Sequence, residues 1–153
     1  RDGTGSPARL DLGFQALRGR MSNQKATVGQ TGEDVAVKFL EQNGYTVLER
    51  NYRSGHQEID IIACDHEFLI FVEVKTRSCH IPESMSYGRP ARAVGSAKQK
   101  NLVLAAQSYL RKHPENTLQP RMDVVEVYLK KTVEGAPPSL LNVHHIRNAF
   151  LAK

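Results

Sequence analysis

The chain has 153 residues, of which 40% are hydrophobic and 24% charged, with a formal net charge of +5 and a pI near 9.4. That length can bury a core without staples, and its two cysteines, Cys64 and Cys79, form no CxxC or Cys/His ligand pattern, which argues against a disulfide framework or structural zinc and points to a reducing cytoplasm. No run is apolar enough to span a membrane and no secretory leader pattern occurs, so a soluble, cytoplasmic protein without a membrane partner is expected; the basic balance suits a polyanion without requiring one.

Residues 1–26 are rich in Gly and Arg, with Leu10, Leu12, Phe14 and Leu17 as scattered anchors, the composition of a disordered N-terminal extension. Met21 reads as a start within it; a basic arm that orders on a partner is the other reading. Thr27-x-x-Gln30 matches a capping box, and Val28, Gly32, Val35, Ala36, Phe39 and Leu40 recur at helical spacing until Asn43-Gly44 stops the run. Gly32 is a local fault in this amphipathic helix unless a backbone or ligand approaches closely. Glu33 stands at the border of the apolar stripe, and from the residues alone it is equally well a first-turn acid favoured by the helix dipole. Tyr45–Tyr52 reads as the first strand and Arg53–His56 as its turn.

Residues 57–77 hold two apolar, strand-like runs that carry charges where a core strand should not: Asp60 in the first, Glu73 and Lys75 in the second. Side chains alternate along a strand, so Glu73 and Lys75 share a face. A two-residue loop at Asp65-His66, or a four-residue loop about the same centre, would pair Cys64 with Glu67, set Asp60 opposite Phe71 and Glu58 opposite Glu73, and put Asp60 on that same face. A three-residue loop would send Asp60 to the other side. On a shared face the two carboxylates are close enough to hold one hard cation, Mg²⁺ or Mn²⁺, which suits metal-assisted phosphodiester hydrolysis, with Lys75 orienting water or meeting charge on the phosphate.

Residues 78–90, with Pro82, Gly88 and Pro90, read as a loop beside the Glu-x-Lys strand. Arg77, His80, Arg89 and Arg92 make this stretch basic, a pattern for phosphate contact more than base stacking, or simply for a solvated loop. Ser96-x-x-Gln99 is a second capping box, and Leu102, Ala105, Ala106, Tyr109 and Leu110 give the apolar face of a helix ending at His113-Pro114. Lys98 lies on the same stripe, where a lysine ordinarily snorkels to solvent. Arg121–Leu129 reads as a fourth strand and Leu140–Ile146 as a fifth. His144 and His145 are adjacent, so on a strand they face opposite sides and cannot chelate one ion.

Asp60, then Glu73-x-Lys75 on the next strand, resembles the PD-(D/E)xK signature of restriction-endonuclease-like nucleases. Glu58-Ile-Asp60-Ile-Ile-Ala, Phe71-Val-Glu-Val-Lys75-Thr-Arg77 and the opening Gly29-x-x-Gly32-Glu33 with Ala36, Leu40 and Gly44-Tyr45 resemble the YraN-type family of small bacterial predicted endonucleases, themselves similar to archaeal Holliday-junction resolvases. The resemblance runs from about Gly29 to Val127. It implies an α/β fold with a restriction-endonuclease-like core, a mixed central sheet flanked by helices in α-β-β-β-α-β order, over a single nuclease-like domain at 27–150. It implies that Asp60 and Glu73 are metal ligands, that Lys75 and Glu33 complete the catalytic set, and that Lys98 reaches the phosphate with Arg77, Arg89 and Arg92. DNA, branched in the functional relatives, is the implied partner, and those relatives act as homodimers. Asp123 resembles the family's Arg-Phe-Asp-Val-Val segment and reads as structural. The sequence departs from the pattern where Gln57 replaces a glycine, Met122 replaces a phenylalanine, and no proline precedes the aspartate.

Two functions compete: a Mg²⁺-dependent DNA endonuclease, and a non-catalytic nucleic-acid-binding or adaptor module whose cluster is a structural ion pair. Four charges, Glu33, Asp60, Glu73 and Lys75, favour the enzyme, because a structural pair needs no third and fourth.

Overall fold

The computed structural model describes residues 28–79, 94–130 and 139–150. Their elements are α1 (Val28–Gln42), β1 (Thr46–Ser54), β2 (Gln57–Cys64), β3 (Phe68–Cys79), α2 (Ser96–Lys112), β4 (Gln119–Lys130) and β5 (Ser139–Ile146). The strands form one mixed sheet in the order β1-β2-β3-β4-β5, with β3 and β4 parallel and every other neighbouring pair antiparallel. This is the α/β architecture and α-β-β-β-α-β order expected. Among the described residues no helix is long and apolar enough to cross a membrane.

Each helix buries its stripe on a different face. Val35, Ala36, Phe39 and Leu40 of α1 pack on Ile61, Ala63, Ile70, Val72, Val125 and Val127, whereas Leu102, Val103, Ala105, Ala106 and Tyr109 of α2 pack on Ile62, Leu69, Phe71, Met122 and Val124. The period-two alternation of β3 and β4 divides their side chains between the two layers. The end of α1 is fixed locally: Gly44 takes φ 92°, its N–H donates to Glu41 O and that of Tyr45 to Leu40 O, which satisfies two of the helix's last carbonyls. At the other helix the cap differs from expectation. Gly95, not Ser96, is the N-cap, and Gln99 instead sends its amide back to Val94 O at 2.9 Å.

The hairpin also departs from the expected register. Ile62, not Asp60, lies opposite Phe71, and Cys64 pairs with Leu69. Asp65 is the reason: its carboxylate accepts from the N–H groups of Glu67 (2.8 Å) and Phe68 (2.7 Å), and its own N–H donates to Phe68 O, so the turn falls on His66-Glu67, one residue later. Moving the turn by one shifts the pairing by two, which preserves the parity of the faces. Glu58 is not opposite Glu73; it pairs with Arg53 on β1. Residues 78 and 79, expected in a loop, continue β3 alongside Leu129 and Lys130.

The alternation of β2 breaks at Asp60. Ile59 and Ile61, two residues apart, bury on opposite faces, and Asn51, between the Arg50 and Tyr52 that pair with them, has φ 53°. The β2–β3 ladder ends at Ile61↔Val72, and the next residues along the two strands are Asp60 and Glu73. The two central strands therefore open into a fork where the sequence places its charges.

Candidate active site

In the fork the Asp60 carboxylate takes the role of the missing ladder acceptor, receiving the Val74 N–H at 2.8 Å. Glu73, 6% exposed, leaves β3 on the α2 face with Lys75 and Arg77. Burial first and then the Asp60 charge push the Glu73 carboxyl up to about 7, and burial also raises the Asp60 carboxyl. The Nζ atoms of Lys75 and Lys98 each lie 3.8 Å from Glu73 Oε2, beyond hydrogen-bond length. Lys98 comes from the first turn of α2, which is exposed.

Glu33 joins from α1. Its carboxyl is raised first by burial and next by Asp60, while Arg50, 3.8 Å away, opposes the shift. The placement of α1 depends on Gly32, since a Cβ there would overlap the Thr76 hydroxyl on β3. The fault noted in the helix is thus the point where α1 touches the strand that carries Glu73 and Lys75.

The structure therefore brings Glu33, Asp60, Glu73, Lys75 and Lys98 into one neighbourhood. Arg77, 44% exposed, sits one strand repeat further along and pairs with Glu126 at 3.4 Å. Arg89 and Arg92 lie outside the described residues. Two carboxylates are the donor set for a cation; among the described residues no group of three or more His, Cys, Asp or Glu side chains is arranged to hold one.

Asp123 is structural, as expected. It is fully buried on the α1 face, where Arg121 grips both its oxygens at 2.9 Å and His145 Nε2 lies 2.7 Å from Oδ2. These partners hold its carboxyl below the usual range against the opposing effect of burial. His144, on the other face, lies 3.5 Å from Glu126 Oε1. The adjacent histidines do face opposite sides.

Glu126 went unnoticed in the sequence. It is 3% exposed, it stands beside Lys75 in the parallel ladder, and Tyr128 donates to its Oε1 at 3.0 Å. The available signal was a charge inside the apolar run Val124-Val-Glu-Val127, of the same kind that marks Glu73.

A mixed five-stranded sheet with helices on both faces, and an aspartate from one strand meeting a Glu-x-Lys pair on the next, defines the class as an α/β protein carrying a charge cluster in the fork of its sheet. The chain belongs to the YraN, or UPF0102, family, described as an uncharacterised protein family, whose model matches residues 32–127. It is 42% identical over 114 residues to a UPF0102 protein of Chloroherpeton thalassium, covering 74% of this chain and 84% of the relative. To one of Acetivibrio thermocellus it is 43% identical over 129 residues, 84% and 94% of the two chains. Among solved structures it is similar to Pyrococcus furiosus SfsA in complex with Ca²⁺, at TM-score 0.37 and 16% identity; the match covers 76% of this chain and spans 62% of that one.

Proposed function

We propose that the protein is a metal-dependent DNA endonuclease that hydrolyses phosphodiester bonds at the Asp60–Glu73 fork. One contrast carries the reading. Where this protein builds structural ion pairs, at Asp123 and Glu126, opposite charges or hydrogen-bond donors pull the carboxyl below its usual range; at Glu33, Asp60 and Glu73 burial first, and neighbouring acids after it, raise all three carboxyls, and the lysines stay 3.8 Å from Glu73. Buried acids with raised carboxyls at a fork between strands suit a site for a cation.

Two carboxylates suit Mg²⁺ or Mn²⁺, which fills its remaining positions with water and substrate phosphate. Bound there, the ion supplies a polarised phosphoryl oxygen and a more acidic water. Asp60 and Glu73 would hold it once Glu73, whose carboxyl is raised to about 7, is deprotonated. Lys75 orients the attacking water or meets charge developing on the phosphate, and Glu33 supports the acidic wall from α1. Lys98 and Arg77, with Arg89 and Arg92, contact flanking phosphates. The resemblance to junction resolvases makes branched DNA the first substrate to try and a homodimer the first assembly.

The test is cleavage by purified protein of linear, flapped, four-way-junction and single-stranded DNA, each with and without Mg²⁺ or Mn²⁺. Metal-dependent cleavage that differs between substrates is the expected result. Salt-dependent binding without cleavage of any form would leave the protein an adaptor.

A further inference from the structure

Beyond the fork, the α2-facing side of the sheet carries a second polar group. Glu126 is buried beside Lys75, with Oε1 taken by the Tyr128 hydroxyl at 3.0 Å and approached by His144 at 3.5 Å, while Oε2 faces the Arg77 guanidinium at 3.4 Å. Among the described residues Arg77 is held by Glu126 at Nη2, and its side chain is 44% exposed, so it remains within reach of a ligand. Lys75 and Arg77 point the same way two residues apart, about 6.6 Å along the strand, a step comparable to the distance between successive phosphates on one nucleic-acid strand. A mobile arginine loses rotamer freedom when it binds a phosphate; one already braced loses less.

We propose that Glu126, itself fixed by Tyr128 and His144, is a positioning residue that braces Arg77 as the subsite for the phosphate next to the one at Lys75. The inference rests on the nuclease reading for what occupies Lys75, and it names the neighbouring contact. Glu126 touches no substrate. Its carboxylate aims the guanidinium, and the buried side of the pair keeps the aim as the ligand changes. This predicts a sign opposite to simple electrostatics, because a negative charge near DNA would then favour binding.

The experiment is an anisotropy titration of the full chain against labelled duplex in metal-free buffer over a series of salt concentrations, with cleavage in Mg²⁺ measured in parallel. Arg77→Gln should weaken binding and reduce the slope of log affinity against log salt by about 1. Glu126→Gln, although it removes a negative charge, should also weaken binding, should add nothing in the Arg77→Gln background, and should raise KM more than it lowers kcat. Glu126→Asp should restore part of the loss. If Glu126→Gln fails to fold, Glu126→Asp and Tyr128→Phe are read in its place, with the same sign and a smaller size. Binding as tight as wild type or tighter in these variants, or losses that add to that of Arg77→Gln, would overturn the subsite. Wild-type cleavage without this coupling removes the subsite and leaves the nuclease; coupling without any cleavage removes the nuclease and leaves an anion-binding arginine.

Discussion

Gly32 of α1 and Thr76 of β3 touch so closely that no side chain fits between them: an added Cβ would overlap the threonine hydroxyl and stand 3.1 Å from its Cβ. Alanine is the better helix former by about 1 kcal/mol, so propensity alone predicts that Gly32→Ala stabilises. Overpacking opposes this with about 1 to 3 kcal/mol. Gly32→Ala is expected to lower the urea midpoint, and adding Thr76→Ala should recover part of the loss. An unchanged or higher midpoint for Gly32→Ala would mean that α1 does not rest on β3.

Asp60→Asn and Glu73→Gln are each expected to abolish metal-dependent cleavage while preserving or slightly strengthening DNA binding in metal-free buffer. Each swap is nearly isosteric and removes one negative charge that repels phosphate. Both should leave the melting temperature unchanged or raise it, since crowded buried acids repel. A structural ion pair predicts instead a lower melting temperature, by a small amount because Lys75 and Lys98 are 34% and 49% exposed. Lys75→Met should weaken cleavage while metal binding, followed by calorimetry, persists.

Burial and the neighbouring Asp60 raise the Glu73 carboxyl from 4.5 to about 7, and this fixes the sign of a pH effect. A carboxyl with a raised folded pKa holds its proton more tightly in the native state than when unfolded. Its contribution to stability is fully present below pH 4.5 and is lost as pH rises through about 7. Wild type should therefore lose stability across that window relative to Glu73→Gln, as read from denaturant midpoints at each pH. Mg²⁺ should bind more tightly as pH rises over the same range, because the Glu73 carboxyl must lose its proton to ligate. Parallel curves for the two proteins would show that Glu73 is not raised.

Asp123 behaves oppositely. Its carboxyl is held low by His145 and Arg121 against burial, so the stability it gives is present above the unfolded value and lost as pH falls through the lower folded one. Asp123→Asn should cost about 3 to 5 kcal/mol, because Arg121 and His145 stay buried around a neutral group. A variant as stable as wild type at neutral pH would show that the network carries no net stability.

The fork could be read in the sequence because a charge inside an apolar strand is expensive wherever the strand goes, so Asp60, Glu73 and Lys75 announced themselves before any register was known. The common face of Glu73 and Lys75 was legible too, whereas that of Asp60 was not, because the alternation of β2 breaks there. The turn's position was not, because it depends on whether the Asp65 carboxylate caps backbone N–H groups before or after His66. Gly32 flagged a close approach without naming Thr76. Glu126 carried the same signal of a charge in an apolar run, but its neighbours were not legible: Lys75 is set beside it by a parallel ladder closed through a distant crossover, His144 by the antiparallel pairing of β5, and no local spacing reveals either register. The capping box at Ser96 failed because Gly95 supplies the extended cap conformation itself.

The β2–β3 hairpin and the β3–β4 ladder differ in how far apart in the chain their partners lie, and that separates the polar groups in time. Asp60 and Glu73 meet through a short turn, whereas Arg77 meets Glu126 only after the chain has passed through α2 and returned parallel. Closing the longer loop costs more entropy before any contact repays it, and parallel pairing is slow for that reason. Pulse-labelled exchange during refolding is thus expected to protect the Val74 amide, held by Asp60, before the amides joining β3 to β4. The paired acids would then spend the interval on an unprotected strand edge, without the neighbour that completes the surface. The acids of the fork would be assembled early, and their enclosure late.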